Sequence, residues 1–274
     1  MRKSCCVLFP LMFAFMILSG CFSGETSESS ESNGEQSNQE DSGDKVLRVS
    51  IVGEAEKLDA HWSNTEAELP VISHIYSGLV RFTPGKAGIE NIEPDLAESW
   101  ESNDDKTVWT FNLREGVQWH GGDGELKAED VKWSFERVMD PETGSPWKSD
   151  YDNVERIETN GEYTVTFHLK QPESAFLMKV LNYHGGNIVN KKAIEEAGEN
   201  HMNVAVGTGP FMLEEYRTQE KVVLVKNPDY FRGEPKLDRI EFVMMDDPTA
   251  IEVALENGEL HMGRGQNEKN WIER

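Results

Sequence analysis

Pro94 to Pro141 reads PDLAESWESNDDKTVWTFNLREGVQWHGGDGELKAEDVKWSFERVMDP, and several local signals follow one another in it. Asp95 to Trp100 has the composition of a short helix. Val108 to Leu113 (VWTFNL) alternates apolar and polar side chains with the period of a strand. Gly121 to Gly124 marks a turn. Lys127 to Val138 spaces Val131, Phe135 and Val138 on one helical face and Glu129, Lys132 and Glu136 on the other, and Pro141 stops it. Four of the seven tryptophans lie here, at Trp100, Trp109, Trp119 and Trp133. Trp100, Trp109 and Trp133 sit inside regular patterns, so packing is the expected role for these three.

The same reading extends outward. Val46 to Val52 is a β-rich run. Glu66 to Leu79 carries apolar residues at helical spacing, with Gly78 placed as a C-cap. Asn160-Gly161 between the alternating halves of Arg156 to Leu169 predicts a hairpin with a type I′ turn. Ser174 to Leu181 and Lys191 to Ala197 read as helices. Phe211 to Tyr216, Lys221 to Lys226 and Arg239 to Met245 read as strands. Pro248 to Asn257 reads as a helix leading through Gly258 to Met262 into a last strand. Strands and helices alternate throughout, which makes the fold class mixed α/β.

Fifty acidic residues stand against 27 basic ones, a formal net charge of −23. Such a surface repels phosphates, so nucleic acid is excluded as the expected partner. Cys5, Cys6 and Cys21 are the only cysteines, so the body has neither a disulfide framework nor a cysteine metal site. Arg2 and Lys3 precede a 12-residue apolar run, Val7 to Leu18. A membrane span needs about 20 apolar residues, so residues 1–20 read as a secretory signal peptide. Leu18-Ser19-Gly20-Cys21 then resembles a lipobox, which makes Cys21 the expected lipidation site. Residues 21–45 are rich in Ser and Glu, and Phe22 is the only large apolar residue in 22–44; this composition predicts a disordered tether that holds the body off the membrane.

No catalytic constellation is present: the body has no GxSxG and no cysteine nucleophile, and Gly207-x-Gly209 lacks the third glycine of a dinucleotide loop. An enzyme is not expected. The seven histidines show no metal-ligand spacing, so neither a metal nor another cofactor is expected.

Ordered motifs over residues 46–262 carry a family resemblance. They are Leu58-Asp59-x-His61, Ile75-Tyr76-x-Gly78-Leu79-Val80, Pro94-Asp95-Leu96-Ala97-Glu98-Ser99-Trp100 and Thr110-Phe111-x-Leu113-Arg114-x-Gly116-Val117. Ala128-Glu129-Asp130-Val131, Ser145-Pro146, Gly207-Thr208-Gly209-Pro210, Asn227-Pro228-x-Tyr230 and Asn257-Gly258-Glu259-Leu260 follow. By these the chain resembles the extracellular solute-binding proteins of ABC importers, in the peptide- and nickel-binding family (family 5). Ala60 stands where that family usually has proline, and Lys127 where it has a Thr N-cap.

The resemblance implies a periplasmic-binding-protein-like α/β fold of class II type. It assigns residues 46–76 and 191–274 to part of lobe I and residues 77–190 to domain II. Lobe III, the opposing ligand wall, is not matched, so an N-terminal half is expected. The implied ligand is a di- or oligopeptide held partly as an added strand, with a nickel chelate or another small solute as alternatives. The implied partners are permease subunits and, through Cys21, the extracytoplasmic face of a cell membrane, with the protein acting as a monomer. A truncated, non-transporting fragment or surface interaction protein is the competing reading. Carried over by position, the ligand wall falls on Asn64, Thr65 and Glu66, and on Trp147 just after Ser145-Pro146. The same Asn64 to Glu66 segment also suits a helix N-cap.

Overall fold

The computed structural model describes residues 43–264. In chain order its strands are β1 (Val46–Ile51), β2 (Val80–Phe82), β3 (Ile92–Pro94), β4 (Ala97–Ser102), β5 (Val108–Leu113), β6 (Val154–Thr159), β7 (Thr164–Leu169), β8 (Phe211–Arg217), β9 (Lys221–Lys226) and β10 (Arg239–Met244). Its α-helices are α1 (Glu68–Ile75), α2 (Ala128–Met139), α3 (Lys191–Ala197) and α4 (Pro248–Glu256). The expected signal peptide, the expected lipidation site Cys21 and nearly all of the expected tether lie outside the described residues.

Two four-stranded sheets organise the molecule. One has the order β1-β10-β9-β8, with β1 parallel to β10 and the other pairs antiparallel. The other has the order β4-β5-β7-β6 and is wholly antiparallel. Strands β2 and β3 form a separate antiparallel pair. Each large sheet backs its own apolar core. The alternating β5 and β7 send Phe111, Val165 and Phe167 into one core, where Phe135 of α2 meets Phe167 edge to face at 5.0 Å. The second core gathers Val71, Ile72 and Ile75 of α1 with Val222, Leu224 and Phe242. Leu79 to Ile188 fill the first core; Ile51 to Tyr76 and Val189 to Phe242 fill the second. The mixed α/β class is therefore the observed one.

Helix starts follow elementary capping chemistry. Asn190 accepts from the Ala193 N–H to start α3, and Asp247 accepts from Ala250 N–H ahead of Pro248 to start α4. Where Thr is replaced by Lys127, the Asp130 carboxylate reaches back to the Lys127 N–H at 2.8 Å, which supplies half of a capping box to α2.

Five local expectations are corrected. Residues 97–102 are strand β4 rather than part of a helix, because Trp100 pairs with Phe111 on β5 and that pairing outweighs the helical leaning of Ala-Glu-Ser. Ser174 to Leu181 contains only the 3₁₀ turn Phe176–Lys179. Helix α1 ends at Ile75, with Tyr76 already extended, so Gly78 is not its cap. Gly78 is instead a close-approach glycine: a Cβ there would stand 2.3 Å from the Asn182 backbone nitrogen. The hairpin at Asn160-Gly161 is real but not type I′, since Gly161 alone has positive φ (69°) and the Asn160 N–H closes onto Thr164 O at 2.9 Å. Tyr163 lengthens that turn, held by its carbonyl to Leu113 N–H (2.7 Å) and its hydroxyl to Glu125 (2.8 Å). The last strand is reduced to a single parallel bridge between Val49 and Met262.

Candidate functional site

The segment entering α1 is exposed at Asn64, Thr65 and Glu66 and buried on either side, at Ser63 and Ala67. Its conformation is set by Glu68, which is 1% exposed. One oxygen of that carboxylate accepts the N–H groups of Asn64 (2.9 Å) and Thr65 (3.1 Å), and Thr65 Oγ1 accepts the Glu68 N–H (3.2 Å). Thr65-Glu66-Ala67-Glu68 is thus a capping box, with Thr65 O accepting from Leu69 N–H at 3.1 Å. The N-cap reading of this segment holds. Two of its main-chain donors are engaged, so they are not free to pair with an added strand. The carboxylate of Glu66 remains on the surface, paired with Arg264.

Trp147 is half-buried, and its indole N–H donates to Ser63 O at 3.2 Å. That bond brings it beside the 64–66 segment, so the structure gathers all four sequence-derived candidates on neighbouring elements. The Trp147 ring stacks on His184 at 4.1 Å and 9° between planes, and His184 stacks on Tyr183 at 3.8 Å and 29°. This ladder ends in an exposed ring, Tyr183 at 47%. Glu66, Leu69, Pro70, Ser73, Tyr183 and Arg264 line one open concavity of about 600 Å³.

Tyr183 and His184 were missed in the sequence. The available signal was an aromatic pair directly before Gly185-Gly186, and nothing local says that it stacks on a residue 37 positions earlier. His184 takes φ 53°, a left-handed conformation uncommon outside glycine. Partial burial lowers its imidazole pKa, against the attraction of Asp150. Gly185 allows the close packing beneath, because a Cβ there would meet the Trp147 Cβ at 2.8 Å.

This surface offers ring faces that attract apolar groups and cations, a carboxylate for a cationic group and a guanidinium for an anionic one. Among the described residues no three His, Cys, Asp or Glu side chains converge to hold a metal ion, and no helix is long and apolar enough to cross a membrane.

The family model for bacterial extracellular solute-binding proteins, family 5 Middle, matches residues 91–273. A di/tripeptide-binding protein 2 from Pseudomonas aeruginosa is 34% identical over 194 residues, covering 64% of this chain and 36% of its own. The oligopeptide-binding protein AppA of Bacillus subtilis is 26% identical over 265 residues, covering 95% of this chain and 48% of its own. Among solved structures, the binding protein MoaA of A. tumefaciens R10, in complex with mannopinic acid, aligns with a TM-score of 0.81 at 37% identity. That alignment covers 85% of this chain and 47% of MoaA. The chain therefore spans between about a third and half of the length of these relatives. With its family model matched over more than half of its residues, the chain belongs to the bacterial extracellular solute-binding proteins, family 5.

Proposed function

We propose that this chain supplies one wall of the ligand site of an extracytoplasmic solute-binding lipoprotein of an ABC importer, and that di- and oligopeptides are its ligands. The observation that carries this reading is the Trp147–His184–Tyr183 ladder beside the exposed Asn64 to Glu66 segment. It is an aromatic surface with a fixed orientation and charged groups at its edge, as a peptide site needs. The peptide-binding names of the two relatives support the ligand class. Glu66 is placed to accept a ligand ammonium, and Trp147 and Tyr183 to cover ligand side chains. Thr65 acts through the cap, holding the segment in place.

In this reading residues 46–76 and 191–274 form part of lobe I and residues 77–190 form domain II, which the division of core residues at Ile188 and Val189 supports. Cys21 carries the lipid that holds the protein at the outer face of the membrane, where it hands its ligand to a permease.

Titration calorimetry of residues 22–274 with tri-alanine and a random tripeptide mixture tests the ligand site. Binding is expected, with at least a tenfold loss for Trp147→Ala and for Tyr183→Ala. An absence of heat, or affinity indifferent to both changes, would sink the reading. The anchor is checked separately: Cys21→Ala is expected to release the protein from the membrane fraction.

A further inference from the structure

Beneath the aromatic ladder lies a cluster of ionisable groups that the ligand reading does not use. Asp59 is fully buried, and the Arg137 side chain is 9% exposed. They form a two-pronged ion pair: Nη2 donates to Oδ2 at 2.5 Å and Nη1 to Oδ1 at 3.1 Å. Arg137 Nη1 also donates to Nδ1 of buried His61 at 2.9 Å, and His61 Nε2–H donates to Asn187 O at 3.0 Å. His201 Nδ1–H donates to Asp59 Oδ2 at 2.8 Å. A donor, Arg137 Nη1–H, on one ring nitrogen and an acceptor, Asn187 O, at the other require neutral His61. Burial, the largest influence, lowers its pKa to about 4, with Asp59 opposing the fall and Arg137 adding to it. Burial works to raise the Asp59 carboxyl, but the bonds and charges of Arg137, His61 and His201 together bring it below its usual value.

The rest of Asp59 shapes the turn that follows it. Its carbonyl accepts from Trp62 N–H, Ser63 N–H and Ser63 Oγ, and Oδ1 accepts from His61 N–H. That turn holds Trp147 at two points. Ser145 Oγ donates to His61 O at 2.6 Å and accepts the Trp147 N–H at 3.2 Å, and Ser63 O accepts the indole N–H. Arg137 belongs to α2 and Asp59 to the chain ahead of α1, so the ion pair ties the turn to a separate, rigid element. A buried ion pair is no better for stability than well-packed apolar groups of the same volume. What apolar groups cannot reproduce is the fork geometry, which fixes one register of the turn against α2.

We infer that Asp59 and Arg137 are positioning residues of the ligand wall, which set the Trp147 ring through the turn from Asp59 to Ser63 and through Ser145. This rests on the proposed site at Trp147 for its effect on ligand affinity, but its structural part does not.

The test uses residues 22–274 labelled with 5-fluorotryptophan, the Trp147 resonance being assigned by Trp147→Phe. Three readouts are taken: the fluorine spectrum, the melting temperature and the affinity for the random tripeptide mixture. Arg137→Lys keeps the charge but loses the fork. It is expected to move the Trp147 resonance and weaken binding at least fivefold, while the Trp109 and Trp119 resonances stay in place. The double change Asp59→Leu with Arg137→Met removes both charges together. It is expected to melt at or above Arg137→Lys and still show the displaced resonance and the weak binding, which a purely stabilising role would not produce. An unmoved Trp147 resonance in either folded variant would overturn the inference. If Trp147→Ala leaves peptide affinity unchanged, the ligand site itself is wrong, and the fluorine spectrum alone still decides whether Arg137 positions the ring.

Discussion

Asp95 shows how a single residue in a family motif can be legible by position and opaque in its physics. It is 2% exposed, one carboxylate oxygen has no hydrogen-bond partner, and Arg232 approaches only to 3.8 Å. Burial raises its pKa to about 6, against the attraction of Arg81, Arg232 and Arg114. The unfolded chain releases this proton near 3.8, so between these two values the native state binds more protons and gains stability as pH falls. Above pH 6 the buried charge penalises the fold. Asp95→Asn is therefore expected to raise stability at pH 7.5 by up to roughly 3 kcal/mol, a gain that disappears near pH 4. Urea denaturation at the two pH values checks this, and a difference independent of pH would refute it. The Pro94-Asp95-Leu96 motif was plain in the sequence. The orphan oxygen was not, because burial depends on strands and a loop that reach Asp95 from residues 81, 114 and 232. Tyr183 and His184 are illegible in the sequence for the same reason, since Trp147, on which the His184 ring stacks, lies on another element.

At the scale of elements, periodicity located most helices and strands, because alternation and amphipathic spacing record which face is buried. It failed where pairing overrode composition, as in β4, and where one side chain drew a turn out of its two-residue form, as Tyr163 does. The start of α1 lay between these cases. Thr65 through Glu68 spells a capping box; the exposed neighbour Glu66 has the look of a ligand group, while the buried Glu68 performs the capping. Thr65→Ala removes the oxygen that accepts the Glu68 N–H, and a loss of about 1 kcal/mol in urea denaturation is expected. Glu66→Ala should change stability by less than about 0.5 kcal/mol, since an exposed ion pair contributes little. Equal losses from the two changes would refute the division of roles.

Among the described residues, two buried histidines join segments of the two cores. His61 links Arg137 of α2 to the turn ahead of α1, and His120 donates through Nε2 to Gly209 O at 2.9 Å and accepts from Gly207 N–H. A Cβ on Gly207 would stand 2.1 Å from Ile75 O, so the chain approaches closely here and leaves no room for rearrangement. The motifs containing His61, Gly207 and Gly209 could be read in the sequence, but the joint His120 makes with a residue 87 positions away could not. Burial lowers both histidine pKa values, that of His61 to about 4, whereas the unfolded chain takes up protons near 6.5. As pH falls below 6.5 the unfolded state gains protons that the native state refuses, so stability is lost down to the native pKa. Asp95 works in the opposite direction between pH 6 and 3.8 and masks part of this loss. Acid sensitivity should therefore be clearest in the Asp95→Asn chain. Between pH 7 and 4.5 that variant is expected to lose at least about 2 kcal/mol, close to what His61 alone would produce. Replacing His120 by Asn in the same background should make the loss smaller, since one of the buried histidines whose pKa burial lowers (His61, His74 and His120) is gone. An Asp95→Asn chain as stable at pH 4.5 as at pH 7 would show that the joints between the cores tolerate charged histidine, against the bonding seen at both.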